Sequence, residues 1–256
     1  MIHLQDIDFI REERTILSNI HLHIHKDQHW VILGKNGSGK TTLLELMTGY
    51  EFPSKGKVEV LGQLYGTIDI REVRKKIGYI GQTLYEKLHP ADPVWEVVAT
   101  GDFAFLRFYE EIPAISKEKA LDTLARAGLS YLAHKTLGIC SQGERKKIML
   151  ARALMTQPEI LILDEPASGL DLYEREKFLK DINHLREQEI TVVYVTHHIE
   201  EIVPLFTHVA LIEEGKLIAA GPKKEVLTAE LLTQAYQVPV TLEWEADRPW
   251  IKVVSL

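Results

Sequence analysis

Hydrophobic and polar positions alternate at the start of the chain, loosely over residues 2–10 and strictly over residues 20–25. A period of two marks half-buried strands, so antiparallel strands are predicted near the N-terminus. A short apolar run, Trp30-Val31-Ile32-Leu33, leads into a glycine-rich stretch. Lys40-Thr41-Thr42-Leu43-Leu44-Glu45-Leu46-Met47 then forms a run of helix formers stopped at Gly49. The order is strand, glycine loop, helix. Further strands are predicted at residues 58–61 and 77–80. Residues 90–132 read as mostly helical, with helices over 94–101 and 117–128 separated by Pro113. Ser141 opens a helix that runs to Met155.

Strands and helices alternate beyond it: a strand at 160–163, a helix at 172–188, a strand at 191–195 and a short helix at 199–206. Residues 209–212 and 216–220 flank Glu214-Gly215 as a hairpin, and 241–244 with 250–253 form another across Asp247-Arg248-Pro249. Continuous apolar strands between helices predict a parallel sheet covered on both faces. His21, His23 and His25 share one strand face, which reads as solvated because no ligand spacing or acidic partner is evident. Arg74-Lys75-Lys76 reads as a solvated helix end.

Composition narrows the class. The 256 residues are 45% hydrophobic and 26% charged, as in ordinary globular proteins. The sole cysteine, Cys140, excludes an intrachain disulfide and fits a reducing compartment. No apolar run approaches the roughly 20 residues that span a bilayer. The first residues lack the basic and apolar regions of a signal peptide. A cytoplasmic location is expected, peripheral on the cytoplasmic face of a membrane if an integral partner holds the chain there. The net charge of −7 argues against a nucleic-acid partner.

Gly34-Lys35-Asn36-Gly37-Ser38-Gly39-Lys40-Thr41 fits the phosphate-loop pattern at every position. Its glycines let successive N–H groups point at phosphate oxygens, and the following helix adds its positive end. Lys40 would reach the β- and γ-phosphates of ATP, the Thr41 hydroxyl would join a Mg²⁺ shell, and Thr42 is placed to bond a phosphate. Ile160-Leu161-Ile162-Leu163-Asp164-Glu165 delivers acids to a strand end, where open α/β sheets bind ligands. Asp164 would hold Mg²⁺, and Glu165 would take a proton from an attacking water. The expected fold is α/β, a P-loop NTPase core of mostly parallel sheet flanked by helices. An N-terminal antiparallel β subdomain and an inserted α-helical subdomain would accompany it.

With Cys140-Ser141-Gln142-Gly143-Glu144, Ser168-Gly169-Leu170-Asp171, His197 after Val195-Thr196, and Gln82 after Tyr79-Ile80-Gly81, the chain resembles the ATP-binding-cassette family over nearly its whole length. The resemblance implies a cassette over residues 1–237, with a helical subdomain at about 84–156, and a short β extension over 238–256. It implies a head-to-tail homo- or heterodimer. Each ATP would be shared between Lys40, Thr41, Gln82, Asp164, Glu165 and His197 of one chain and Ser141, Gly143 and Asp171 of the other. Gln82 would sense the γ-phosphate and the permease and join Thr41 and Asp164 at the metal, and His197 would contact the γ-phosphate. It further implies a separate integral-membrane permease received near residues 84–95. A soluble, non-transport ATPase acting in regulation, in damage response or on nucleic acid or ribosomes is the alternative. The signature segment departs from the family's Leu-Ser-Gly-Gly-Gln, and Ser141 with Glu144 also forms a helix capping box. The usual adenine-stacking aromatic falls near Arg11, whose planar guanidinium can stack on a base.

Overall fold

The structure is a computed structural model and describes residues 1–103, 107–108 and 111–254, apart from the side chains of residues 82, 83 and 86. Along the chain come β1 (Ile2–Arg11), β2 (Arg14–Ile24), β3 (Trp30–Leu33), α1 (Lys40–Thr48), β4 (Lys55–Val60), β5 (Gln63–Leu64) and α2 (Ile70–Arg74). Next are β6 (Ile77–Ile80), α3 (Gln82–Lys87), α4 (Val94–Ala99), α5 (Ala114–Arg126), α6 (Gln142–Leu154), β7 (Ile160–Asp164) and α7 (Leu172–Asn183). The chain continues with β8 (Thr191–Thr196), β9 (His208–Glu213), β10 (Lys216–Pro222), α8 (Lys223–Val226), α9 (Ala229–Tyr236), β11 (Val240–Glu245) and β12 (Arg248–Val253). It divides into two compact units, Met1–Arg74 with Asn183–Leu256, and Lys75–Ile182.

The first unit contains the antiparallel sheet β2-β1-β4-β5. Alternation buries Ile2, Leu4, Ile7 and Phe9 from β1 against Leu17, Ile20, Leu22 and Ile24 from β2. The pairing shifts register between Leu4 and Ile7, where Asp6 takes φ 53°, which is why the alternation in residues 2–10 is loose. Four more of the unit's strands run in the order β10-β9-β3-β8, and β11 pairs with β12 as a separate hairpin. β3 lies parallel to both β8 and β9, and all residues of β3 and β8 are buried, as central parallel strands require.

In the second unit β6 and β7 pair in parallel, with Ile80 opposite Leu163. Val94, Val97 and Val98 of α4, Ala120 and Leu124 of α5, and Ile148 and Met149 of α6 supply buried apolar faces. Arg152, buried on α6, donates from Nε to the Thr100 hydroxyl at 2.9 Å. The predicted helical stretch falls within this unit, although residues 104–106 and 109–110 lie outside the described residues.

Several local expectations are corrected. The helix expected at 199–206 is a single 3-10 turn, Ile199–Glu201, because Pro204 lacks an N–H and disfavours the α conformation at Val203. The terminal hairpin turns at Ala246-Asp247, with φ 47° and 63°, and Pro249 lies in β12 opposite Trp244. Arg74 is not a solvated helix end. Its guanidinium donates to the carbonyls of Thr48 and Gly49 and lies 4.3 Å from the centroid of the Tyr50 ring.

The strand alternation brings His3 and His23 into register, with ring centroids 4.8 Å apart, and His23 lies 3.9 Å from His25. His29 is buried, and its Nδ1 accepts the Val192 N–H at 3.3 Å. Burial, with Arg186 nearby, holds the His29 imidazole below the usual histidine range. Burial and the neighbouring histidines lower His23 likewise. The folded state therefore binds fewer protons than the unfolded chain, so this stabilisation is complete above about pH 6.5 and is lost as pH falls below it. Urea midpoints should fall on going from about pH 7.5 to about pH 5.5, and more shallowly in His29→Gln.

Candidate functional site

The phosphate loop begins where β3 ends. A Cβ at Gly34 would lie 2.3 Å from the Ile212 carbonyl oxygen, so only glycine lets the chain pass this close to β9. Gly39 turns the chain into α1 with φ 102°, a left-handed conformation that L side chains resist. Between them, the Ser38 N–H donates to the Lys35 carbonyl at 3.2 Å. Lys40 is 5% exposed, and its Nζ donates to the carbonyls of Gly34 and Lys35, both at 2.8 Å. The loop is thus curled around its own lysine.

Two segments outside the motif brace it. The Gly215 N–H donates to the Ser38 carbonyl at 3.0 Å, and the Ser18 N–H donates to the Gly215 carbonyl at 2.9 Å. Glu214-Gly215 is legible as a turn, but nothing in the sequence links that turn to the phosphate loop. No side chain caps α1 at Gly39. The Ser38 hydroxyl is buried with no hydrogen-bond partner among the described residues. Uncapped helix N–H groups, a buried ammonium and a buried hydroxyl are a set that fits phosphate. Thr41 is exposed at the helix start and Thr42 is buried beside it; Asn36 and Gly37 form the exposed rim.

His197 reaches the same edge. Thr196 pairs with Leu33 in the parallel β3–β8 ladder, so His197 leaves β8 beside the point where Gly34 leaves β3. The His197 ring is half-buried, 4.1 Å from the His198 ring, and the Tyr236 hydroxyl donates to the His197 carbonyl at 3.1 Å. Arg11 ends β1. Its Nη2 bonds Glu51 at 2.8 Å and approaches Glu45 at 3.6 Å, with the guanidinium 5.3 Å from the Phe9 centroid. Pairing along the guanidinium edge is compatible with a ring stacking on its face.

In the second unit Asp164 and Glu165 stand at the end of β7. The Ile80–Leu163 register brings Gly81 and the backbone of Gln82 out at that edge. The Gln82 side chain lies outside the described residues. Glu165 takes φ 46°, a left-handed conformation that costs about 1 kcal/mol or more in a non-glycine residue and is concentrated at functional sites.

Ser141 caps α6, accepting the Glu144 N–H at 3.3 Å, while Glu144 Oε2 accepts the Ser141 N–H at 2.8 Å. The Tyr131 hydroxyl donates to Glu144 Oε1 at 3.0 Å. The Ser141 N–H, then the Tyr131 hydroxyl, hold the Glu144 carboxyl below its usual range. The unusual acid of the signature segment therefore caps its own helix. Gly143 admits the Glu174 carboxylate so closely that a Cβ would meet Oε2 at 2.2 Å. A Cβ on Gly169 would lie 3.4 Å from Gln142 Oε1, so the Ser168-Gly169-Leu170-Asp171 loop adjoins the signature. Asp171 accepts the Glu174 N–H at 2.9 Å and caps α7, a helix-start role the sequence reading did not assign. Ser141→Ala should cost about 1 kcal/mol of stability. Glu144→Gln, which can keep both cap contacts, should cost less than about 0.5 kcal/mol, both measured by urea unfolding.

Parallel strands, a glycine loop entering a helix and a strand-end acidic pair define a P-loop nucleotide hydrolase. The sequence pattern of the ABC transporter family matches residues 17–168. The chain is 37% identical over 254 residues to an uncharacterised ABC transporter ATP-binding protein, YlmA, of Bacillus subtilis, covering 98% of this chain and 96% of that one. It is 38% identical to a putative ABC transporter ATP-binding protein of Streptococcus mutans, over 94% of each chain. CbiO1 of Clostridium perfringens, part of the ABC transporter complex CbiONQ, matches with a TM-score of 0.77 at 26% identity, covering 91% of this chain and 92% of that one. A dimeric bacterial ABC transporter cassette matches with a TM-score of 0.74 at 26% identity, covering 87% of this chain and 98% of that one. The chain belongs to the ABC transporter family: it is an ABC-type ATP-binding protein, an ATPase. Among the described residues no helix is long and apolar enough to cross a membrane.

Proposed function

We propose that the chain is the Mg²⁺-dependent ATP-hydrolysing subunit of a membrane transporter, working as a head-to-tail pair of cassettes on the cytoplasmic face beneath a separate permease. The observation that carries this reading is the Gly34–Thr41 loop, curled around Lys40 with the buried Ser38 hydroxyl beside it. Lys40 and the α1 N–H groups hold the β- and γ-phosphates, Glu165 orients water and takes its proton, and His197 contacts the γ-phosphate. Mg²⁺, held by the oxygen donors of Thr41, Gln82 and Asp164, would offset charge on the β- and γ-oxygens. The partner's Ser141, Gly143 and Asp171 close the site in this reading, with the α6 N-terminus presented to the γ-phosphate. The dimeric solved cassette supports the pairing. The domain reading, a cassette over residues 1–237 followed by a β extension, is part of the same proposal.

The test is affinity purification of the full chain from detergent-solubilised native membranes, followed by ATPase assay with and without Mg²⁺. Co-purification of an integral membrane protein and metal-dependent turnover are expected. A chain that hydrolyses ATP but brings down no membrane protein overturns the transport reading and leaves a soluble ATPase.

A further inference from the structure

The segment carrying His197 has little secondary structure of its own: it leaves β8 and makes one 3-10 turn, Ile199–Glu201. Part of its support is internal. Glu201 is 2% exposed, and its Oε2 accepts the Tyr194 hydroxyl at 2.9 Å and the Thr196 hydroxyl at 2.6 Å. Thr196 Oγ1 in turn accepts the His198 N–H at 3.0 Å. These bonds fold the turn back onto the end of β8.

The rest of its support comes from the C-terminal segment. The Tyr236 hydroxyl, from the last residue of α9, donates to the His197 carbonyl at 3.1 Å. Arg248 Nε, at the start of β12, donates to the Glu200 carbonyl at 2.5 Å. The two contacts bracket His198 and grip the main chain on either side of it. Their own footing is firm. Lys223, 5% exposed, donates to the Asp247 carbonyl at 3.0 Å and to its carboxylate at 2.7 Å, fixing the residue next to Arg248. The Val240 N–H donates to the Thr233 hydroxyl at 3.2 Å and ties β11 to α9.

We propose that the C-terminal segment is a positioning device for ATP hydrolysis: Tyr236 and Arg248 set the backbone of the His197 loop and thereby the reach of the His197 imidazole toward the terminal phosphate. The proposal rests on the role assigned above to His197. Neither residue touches the Gly34–Thr41 loop through the contacts described, so their removal acts on turnover and leaves nucleotide affinity in place. A displacement of about 1 Å at a catalytic group can cost on the order of a hundredfold in rate, and loosening one backbone bond costs part of that.

The experiment measures ATPase kinetics, ATP affinity and melting temperature for full-length Tyr236→Phe, Arg248→Ala, Arg248→Lys and Lys252→Ala. Tyr236→Phe and Arg248→Ala should each lower kcat roughly tenfold while KM for ATP stays within about twofold. Arg248→Lys should recover most of the rate, since an ammonium can also donate to the Glu200 carbonyl. Lys252→Ala, which removes only an exposed pair with Glu243 on the same hairpin, should match the parent. In single-turnover assays on His197→Ala, adding Arg248→Ala should cause no further loss. Unchanged kcat in folded Tyr236→Phe and Arg248→Ala, or an additive loss in the His197→Ala background, overturns the proposal. If His197→Ala itself turns over at the parent rate, the role of His197 fails and the positioning device falls with it. If His197→Ala is impaired while Tyr236→Phe and Arg248→Ala are not, the positioning device alone fails.

Discussion

Glu165→Gln is expected to bind ATP and stop there, eluting as a dimer when ATP is present and as a monomer when it is absent. The substitution keeps the shape of the side chain and removes the proton acceptor. Losing a positioned general base costs about 10²- to 10⁴-fold in rate. Lys40 and the loop proposed to hold the phosphates are untouched, so affinity should persist. A nucleotide that is shared by two cassettes and never cleaved keeps them together, because hydrolysis is what would separate them. Size-exclusion chromatography with light scattering reads the result directly. Elution as a monomer at saturating ATP would defeat the shared-site reading, and turnover near the parent rate would place the proton acceptor elsewhere.

The second large effect is expected at Lys40. In Lys40→Ala the charge proposed to meet the phosphates goes, and so do the bonds to the Gly34 and Lys35 carbonyls that keep the loop curled. Hydrogen bonds to charged groups contribute about 1.5–3 kcal/mol each, so ATP affinity should fall by about a hundredfold or more. Lys40→Arg should restore little, because a broad guanidinium does not fit a place built around a compact ammonium. Titration calorimetry with ATP would show this, and circular dichroism should show the fold retained. Parent-like affinity in Lys40→Ala would remove the loop from its assigned task.

The P-loop half of the site was legible because each of its parts is local. A buried strand, two constrained glycines and a helix start follow one another over a few residues, and β3 to α1 forms as read. The capping box at Ser141 and Glu144 was legible for the same reason. Contacts between distant segments left no such trace. Gly215 looks like any hairpin glycine until its N–H meets the Ser38 carbonyl, and Arg74 looks solvated until it reaches back to Thr48 and Gly49. The helix expected at 199–206 shrinks to one 3-10 turn because Pro204 cannot donate a backbone N–H. α8 and α9 went unread because they are short: the buried pair Leu232 and Ala235 is too little periodicity to register. The Asp171 carboxylate also caps the helix that follows it, a contact the loop motif does not announce.

The Lys40 contacts also bear on how nucleotide leaves. A buried ammonium stripped of its counter-charge is costly, and a site that exposed one whenever it emptied would hold on to its product. Here the Gly34 and Lys35 carbonyls accept Lys40 protons, both at 2.8 Å. If Lys40 holds phosphate as proposed, binding would be an exchange of oxygen partners at a standing charge. Affinity would then reflect the difference between phosphate and carbonyl oxygens, and a product nucleotide would leave behind a lysine solvated by its own loop.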